Sequence, residues 1–211
     1  PNRKKHNKQT SLSTCLDTIY NTLNPQQKEI LHFLMYYPGG LQLKWIKHKY
    51  GDDLYRKHLA ELLQFFFLEK IEDSLNIERL IISNPIRPFL REKIKSEGAK
   101  ANLDLEKEAI SITMSEAVLT DGYYIESNLQ DHHPYGFMRM DNEMPNLLLA
   151  FSIAKERSND YEKLNEVEIR NEYLEIISGI SDALGIFCFT KSDYEKGLWF
   201  SKLGIDANIK L

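Results

Sequence analysis

Cysteine is scarce: Cys15 and Cys188 are the only two in 211 residues. Far apart in the chain, each reads as a small buried apolar residue rather than half of a bridge. A reducing, cytoplasmic compartment is expected. Long apolar runs are also missing. No stretch approaches the length needed to cross a bilayer, and no signal peptide is visible. There is no initiating methionine: the sequence begins at Pro1, so a processed chain or a piece of a longer protein is expected.

The motifs of common chemistries are absent too. There is no GxxxxGK[ST] and no GxGxxG, so no phosphate-cradling loop. There is no HExxH, paired CxxC or EF-hand loop. GISDA (residues 179–183) echoes a nucleophile elbow but lies inside a helical pattern rather than between strand and helix. Asp131, His132 and His133 could ligate a metal, yet adjacent histidines rarely reach one ion without distant partners, so a solvated loop is preferred. Glu106/Glu108 and Glu166/Glu168 read as solvated helix faces. Nothing assembles a nucleophile, a base and an orienting group, so no enzyme and no resident cofactor or metal is expected in this chain.

Acid is missing from the opening PNRKKHNK, which holds Arg3, Lys4, Lys5 and Lys8. It reads as a basic tail or linker over residues 1–10. The rest carries 23 basic against 31 acidic residues, a net −8 beneath the overall −4. A net acidic body does not attract nucleic acid as a whole, and only a local patch could.

What is present is ordinary for a globular protein, with ample Leu, Ile, Phe and Tyr for a core. LSTCLDTIYNTL (12–23) has apolar positions at helical spacing: Leu12, Leu16, Ile19, Tyr20 and Leu23. Asn24-Pro25 supplies an N-cap followed by proline at the first helical position. That helix stops at Pro38-Gly39-Gly40. LQLKWIKHKY forms a third helix ending at Gly51, and a fourth carries Leu54, Leu59, Leu62, Leu63 and Phe66. FFLEKIED and IERLIIS read as two strands around Ser74-Leu75-Asn76. Asn84-Pro85 repeats the cap-and-proline pattern and starts a helix to about Ser96. Short helices, a β-hairpin and a helix make the layout of a winged helix over residues 11–96.

EGAKAN (97–102) is a candidate boundary, after which everything reads as helix. Residues 120–137 look like a long loop. MPNLLLAFSIAKER is a helix with Pro145 near its start, and SNDYEK breaks it. Helices then run from about Leu164 to Phe189 and from Asp193 to about Asn208. ALGIFCFTKSDYEKGLWFSKLGIDAN resembles one tetratricopeptide repeat: Leu184-Gly185 hold its Leu-Gly pair, Ser192-Asp193-Tyr194 its turn, Gly197 and Gly204 its later small positions. Such repeats occur in stacks, since two helices cannot bury both faces. The array is expected to continue beyond Leu211. The expected fold class is therefore mainly α: a winged-helix domain, then an incomplete tetratricopeptide-like helical domain over residues 97–211.

The best local case for binding is the third helix, with Lys44, Lys47, His48 and Lys49, then Arg56, Lys57 and His58. In a DNA-binding winged helix this element enters the major groove while the wing touches phosphate. Here the wing carries Glu69, Glu72, Asp73 and Glu78 against Lys70 and Arg79, and phosphate would repel it. A core helix with a solvated lysine face is preferred, Trp45 and Ile46 turned inward. A DNA-binding regulator using Lys44, Lys47, Lys49 and Arg56 is the alternative. Tyr123, Tyr124, Trp199 and Phe200 read as packing residues. Exposed aromatics of the last pair, Tyr194 and Trp199, are candidates for contacting a protein partner.

Taken in order, these features resemble one family. SLSTCLDTIYNTLNPQQKEILHFLMYYPGGLQLKWI resembles the winged-helix start of STAND-type, NB-ARC-like regulatory ATPases, the signal-transducing ATPases with numerous domains. Glu143, Asn146, Leu147 and Leu148, with Phe151 and Ala154, resemble the helix that opens the superhelical domain of bacterial members. The resemblance implies a nucleotide-binding domain before the winged helix, with ADP and ATP as the switch of the whole protein. It implies a relay of nucleotide state and helical repeats that receive a protein or small-molecule inducer, with no membrane partner. Family winged helices clamp the closed state with a histidine at the strand-to-helix junction after the wing. This sequence has Ser83-Asn84-Pro85 there, so the contact to ADP is absent or made by Asn84.

Overall fold

The computed structural model describes the backbone of residues 2–97, 99–130 and 135–211. It is mainly helical, with 77% helix and a small three-stranded antiparallel sheet. The chain divides into two compact units, Pro1–Lys107 and Glu108–Leu211.

The first unit runs α1 (Asn2–Thr22), α2 (Pro25–Leu34), β1 (Leu41–Gln42), α3 (Leu43–Tyr50), α4 (Asp52–Gln64), β2 (Leu68–Glu72), β3 (Glu78–Ile82) and α5 (Arg87–Glu97). Leu16 and Tyr20 turn one face of α1 into the core, followed by Leu23 just past its end, and there Phe33, Ile46, Leu62, Phe67, Leu80 and Ile82 are fully buried. Cys15, expected inside, is exposed, because it lies off that stripe; Cys188 is buried. Residues 1–10, expected as a tail or linker, are helical from Asn2 onward. Lys, Arg and Gln are good helix formers, and basic charge alone does not prevent a helix.

The Asn24-Pro25 start is as expected and does more than cap. Asn24 Oδ1 accepts from the Gln27 N–H, and Asn24 N–H donates to Gln27 Oε1, both at 2.9 Å. This reciprocal box leaves Asn24 Nδ2 facing His58 Nδ1 at 3.1 Å. The cap fixes which way the amide points, so His58 Nδ1 accepts there. Gln27 Nε2 donates in turn to Glu61, and the start of α2 is tied to α4 at two points. Asn24→Ala removes the cap and orphans His58, so it is expected to cost about 1–2 kcal/mol, measured by urea unfolding.

Asn84-Pro85 behaves differently. Residues 84–86 form a turn, closed by Ile86 N–H donating to Ser83 C=O at 2.9 Å. The first helical acceptor is Ile86 C=O, taken by Leu90 N–H, and α5 begins at Arg87. Asn84 therefore does not cap α5. The second proline, Pro88, sits in the first turn of that helix, where a missing N–H costs nothing.

The hairpin expected at 66–83 is present as β2 and β3, pairing Leu68 with Ile82 through Glu72 with Glu78. The two-residue β1 was expected to be helical. It pairs with β3 through Leu41–Leu80 and Gln42–Arg79, giving strand order β1-β3-β2. That pairing lays the Gly39-Gly40 turn against β3. Gly40 has φ +79°, and a Cβ there would stand 3.0 Å from Leu80 O.

Arg79, expected as a wing counter-charge, is buried instead. Its Nε donates to Asp73 Oδ2 at 3.0 Å, and its Nη1 to the carbonyls of Gly39 and Gly40 at 3.1 and 3.2 Å. Asp73 Oδ1 accepts from the N–H groups of Leu75 and Ile77. One ion pair thus closes the hairpin and holds the Gly39-Gly40 turn.

The helices α6 (Ala99–Gln130), α7 (Tyr135–Lys163), α8 (Val167–Thr190) and α9 (Tyr194–Lys210) follow, the division between the units falling within α6. Residues 120–130, expected as loop, are thus helical. Gly122 alone lowers helix stability by about 1 kcal/mol and does not stop it. Asp131, His132 and His133 lie outside the described residues, as do the side chains of Tyr123 and Tyr124. Glu106, expected on a solvated face, is buried, while Glu166 and Glu168 are exposed.

Pro145 falls inside α7 rather than near its start, and 158–163 continue the helix instead of breaking it. The stop comes at Asn165, in the left-handed region at φ +56°. Glu166 N–H reaches Tyr161 C=O and Asn165 N–H reaches Glu162 C=O, a Schellman end. Two other helices end the same way, α4 at Phe66 and α8 at Ser192, with φ +58° and +62°. None uses glycine.

In the second unit α8 is central, packed by α7 on one side and α9 on the other. Ile180, Ala183 and Leu184 meet Leu147, Ala154, Phe200 and Ala207 in one cluster. The α8–α9 approach depends on small residues. A Cβ on Gly185 would stand 3.0 Å from Ser201 Oγ, and one on Gly204 3.2 Å from Asp182 Oδ1. Asp193 caps α9 by accepting from Lys196 N–H, and its side chain pairs with the Lys196 ammonium at 2.6 Å. That hydrogen bond holds the Asp193 carboxyl below its ordinary pKa. Two buried polar pairs sit among the apolar residues. Arg139 on α7 pairs with Glu116 on α6, and Asn146 Nδ2 donates to Glu143 Oε2 at 2.8 Å.

Candidate functional site

Three places carry the residues that the sequence singled out. The first is α3. Lys44 and Lys47 are exposed, Lys44 lying 5.3 Å over the Trp45 ring and Lys47 3.9 Å from Asp52. Lys49 is five residues on from Lys44, roughly 140° around the helix. It points back into its own unit, 3.8 Å from Glu29 and 4.9 Å over the Phe33 ring. Lys44, Lys47 and Lys49 therefore do not form one face. The Arg56 side chain lies outside the described residues, and His58 is spent on Asn24. Ile46 is buried as expected, and Trp45 half-buried. With Arg79 and Asp73 drawn inside, the outer hairpin shows Glu69, Glu72 and Glu78 against Lys70, which pairs with Glu78 at 3.6 Å.

The second is the turn after β3. Asn84 is exposed beside Ser83, which is buried with no hydrogen-bond partner on its Oγ. Arg87 Nη2 donates to Tyr37 C=O at 3.1 Å. Burial, and then the charge of Arg91, lowers the Arg87 pKa from its ordinary value.

The third is the α7–α8–α9 layer. Tyr194 is exposed, its ring 6.2 Å from Phe189. Trp199 is half-covered, 4.7 Å from Phe200 and 6.3 Å from Phe151. Both keep surface for a partner, but Trp199 also packs as an ordinary core-edge aromatic. Glu143 and Asn146, matched above to a family helix, are buried and bonded to each other; Leu147, Phe151 and Ala154 are buried and Leu148 is exposed. Leu198, Ile205 and Ile209 form an exposed apolar row along α9.

A groove of about 340 Å³ opens between α7 and α9 with α8 beneath. Phe151, Leu174, Ile177, Leu203, Ala207 and, from the end of the α9 row, Ile209 line it, with Lys155, Asp206 and Lys210 contributing charge. Sequence reading singled out Phe151 alone among these, on the apolar face of its helix, and missed the rest. Each looks like an ordinary helix position, and only the packing of three helices brings them together.

Among the described residues no three His, Cys, Asp or Glu side chains converge as metal ligands. Contrary to expectation, one helix is long and apolar enough to span a bilayer: α8, with 61% of that stretch buried inside the protein, as in a core helix. No protein-family model, curated protein or solved structure matches the chain.

Proposed function

We propose that the chain is a non-catalytic regulatory and sensory piece of a STAND-type signalling ATPase. Its first unit is a winged helix that relays nucleotide state, and its second the start of a tetratricopeptide-like superhelix that receives a protein or small-molecule inducer. ADP and ATP belong to the nucleotide-binding domain of the whole protein, and we place it in the cytoplasm.

The α8–α9 pair carries this reading. Gly185 and Gly204 sit where α8 and α9 press tightly together, and the Leu198, Ile205 and Ile209 row is exposed, as a face for a following helix pair would be. The order α2, β1, α3, α4 and a β2–β3 hairpin supports a winged helix in the first unit. Exposed Asn84 supports its use toward a neighbouring domain.

The second reading is a DNA-binding winged helix, favoured by exposed Lys44 and Lys47 on α3. Acidic Glu69, Glu72 and Glu78 on the hairpin weigh against it, because phosphate repels them. The test is twofold: phosphate release from ATP, and fluorescence anisotropy with a labelled duplex at low salt. No turnover and no duplex binding are expected. Turnover would overturn the non-catalytic reading. Salt-sensitive duplex binding that weakens on Lys47→Glu would replace it with the DNA-binding one.

A further inference from the structure

We infer that the groove over α8 is a binding site for a small amphipathic acid: an apolar body with one carboxylate. This rests on the sensory reading of the second unit and names what it would sense. The volume of about 340 Å³ falls in the range of small-ligand sites. The lining has the matching chemistry. Phe151 comes from α7, Leu174 and Ile177 from α8, and Leu203 and Ala207 from α9, so an apolar body meets apolar side chains on three sides.

Charge at the rim selects the head group. Lys155 on α7 and Lys210 on α9 stand on opposite walls, and neither forms an ion pair among the described residues. Asp206 is the single acid in the lining, leaving the rim net positive by one. One carboxylate balances it. The C-terminal end of α9 would by itself repel an anion, because its last carbonyls carry partial negative charge. Arg170 offsets this by donating to Lys210 C=O at 3.2 Å. The Ser158 hydroxyl is already used on Lys155 C=O at 3.1 Å, so recognition of the head falls to the two ammoniums and the Asn159 side-chain amide.

The probes are decanoate and phenylacetate, titrated into the full chain by calorimetry and by displacement of 1-anilinonaphthalene-8-sulfonate. Saturable one-to-one binding of at least one is expected, with 1-decanol binding more weakly than decanoate. Lys155→Glu and Lys210→Glu should each weaken it by roughly tenfold, the scale of a charge-assisted contact. Leu203→Trp, which fills the groove from a half-buried position, should abolish it. Ile205→Ser, on the outer row of α9, should leave it unchanged. Far-ultraviolet circular dichroism of each variant checks that it is folded. No binding of either acid, or binding that ignores Lys155→Glu and Lys210→Glu, overturns the groove. Loss on Ile205→Ser with retention on Leu203→Trp moves the site to the outer row and also overturns it. Decanoate binding together with ATP turnover would keep the groove and remove the sensory reading.

Discussion

Arg79→Ala is expected to destabilise the first unit by about 3–5 kcal/mol, the scale for removing one partner of a buried ion pair. Arg79 is among the largest fully buried side chains. Its loss leaves the Asp73 carboxylate buried without a cation and removes the donors to Gly39 and Gly40 C=O. Asp73 keeps its bonds from Leu75 and Ile77, which limits the damage to the hairpin tip. Asp73→Asn keeps the shape and loses the charge, so it should fall between the wild type and Arg79→Ala. Lys70→Ala breaks an exposed pair with Glu78 and should cost less than about 1 kcal/mol. The chain has two tryptophans, Trp45 in the first unit and Trp199 in the second. Urea unfolding followed by fluorescence in a Trp199→Phe background therefore reports the first unit alone. An Arg79→Ala midpoint no lower than that of Lys70→Ala would refute the lock.

In the second unit, Glu116→Ala or Arg139→Ala alone should cost about 3–5 kcal/mol, because each strands a buried charge. The double variant Glu116→Leu/Arg139→Met should recover most of that loss. Replacing a buried pair by apolar residues of similar volume removes the desolvation penalty along with the attraction. Fluorescence in a Trp45→Phe background isolates this unit. Equal losses in the single and double variants would mean that the pair holds the helices by something other than charge.

Local rules carried over where they act within a few residues. Asn24-Pro25 predicted its helix because cap and proline lie in one turn. The hairpin was legible because β-branched and aromatic residues flank Ser74-Leu75-Asn76. What escaped depends on pairing at a distance. Leu41-Gln42 is a strand only because β3 lies beside it. Arg79 looks like a solvated strand charge until Asp73 and the Gly39-Gly40 turn close around it. Polar composition misled over 120–130, where no proline intervenes before Pro134. The helix ends at Phe66 and Asn165 were hidden because left-handed ends are commonly marked by glycine, whereas the turn at Ser192-Asp193-Tyr194 was legible from the repeat spacing. Lys44, Lys47 and Lys49 look contiguous in sequence, and the helical turn separates the last. The groove was invisible because no single helix contains it.

The position of α8 has a consequence in time. A ribosome makes the chain from its N-terminus, so these 24 apolar-rich residues emerge after α7 and before α9. Until residues 194–210 follow, one side of a membrane-length apolar helix is uncovered, the state most open to aggregation during folding. The last helix therefore acts late, as a cover for the segment made just before it. A nascent chain stalled at Asp193 would present the interior of the second unit as surface.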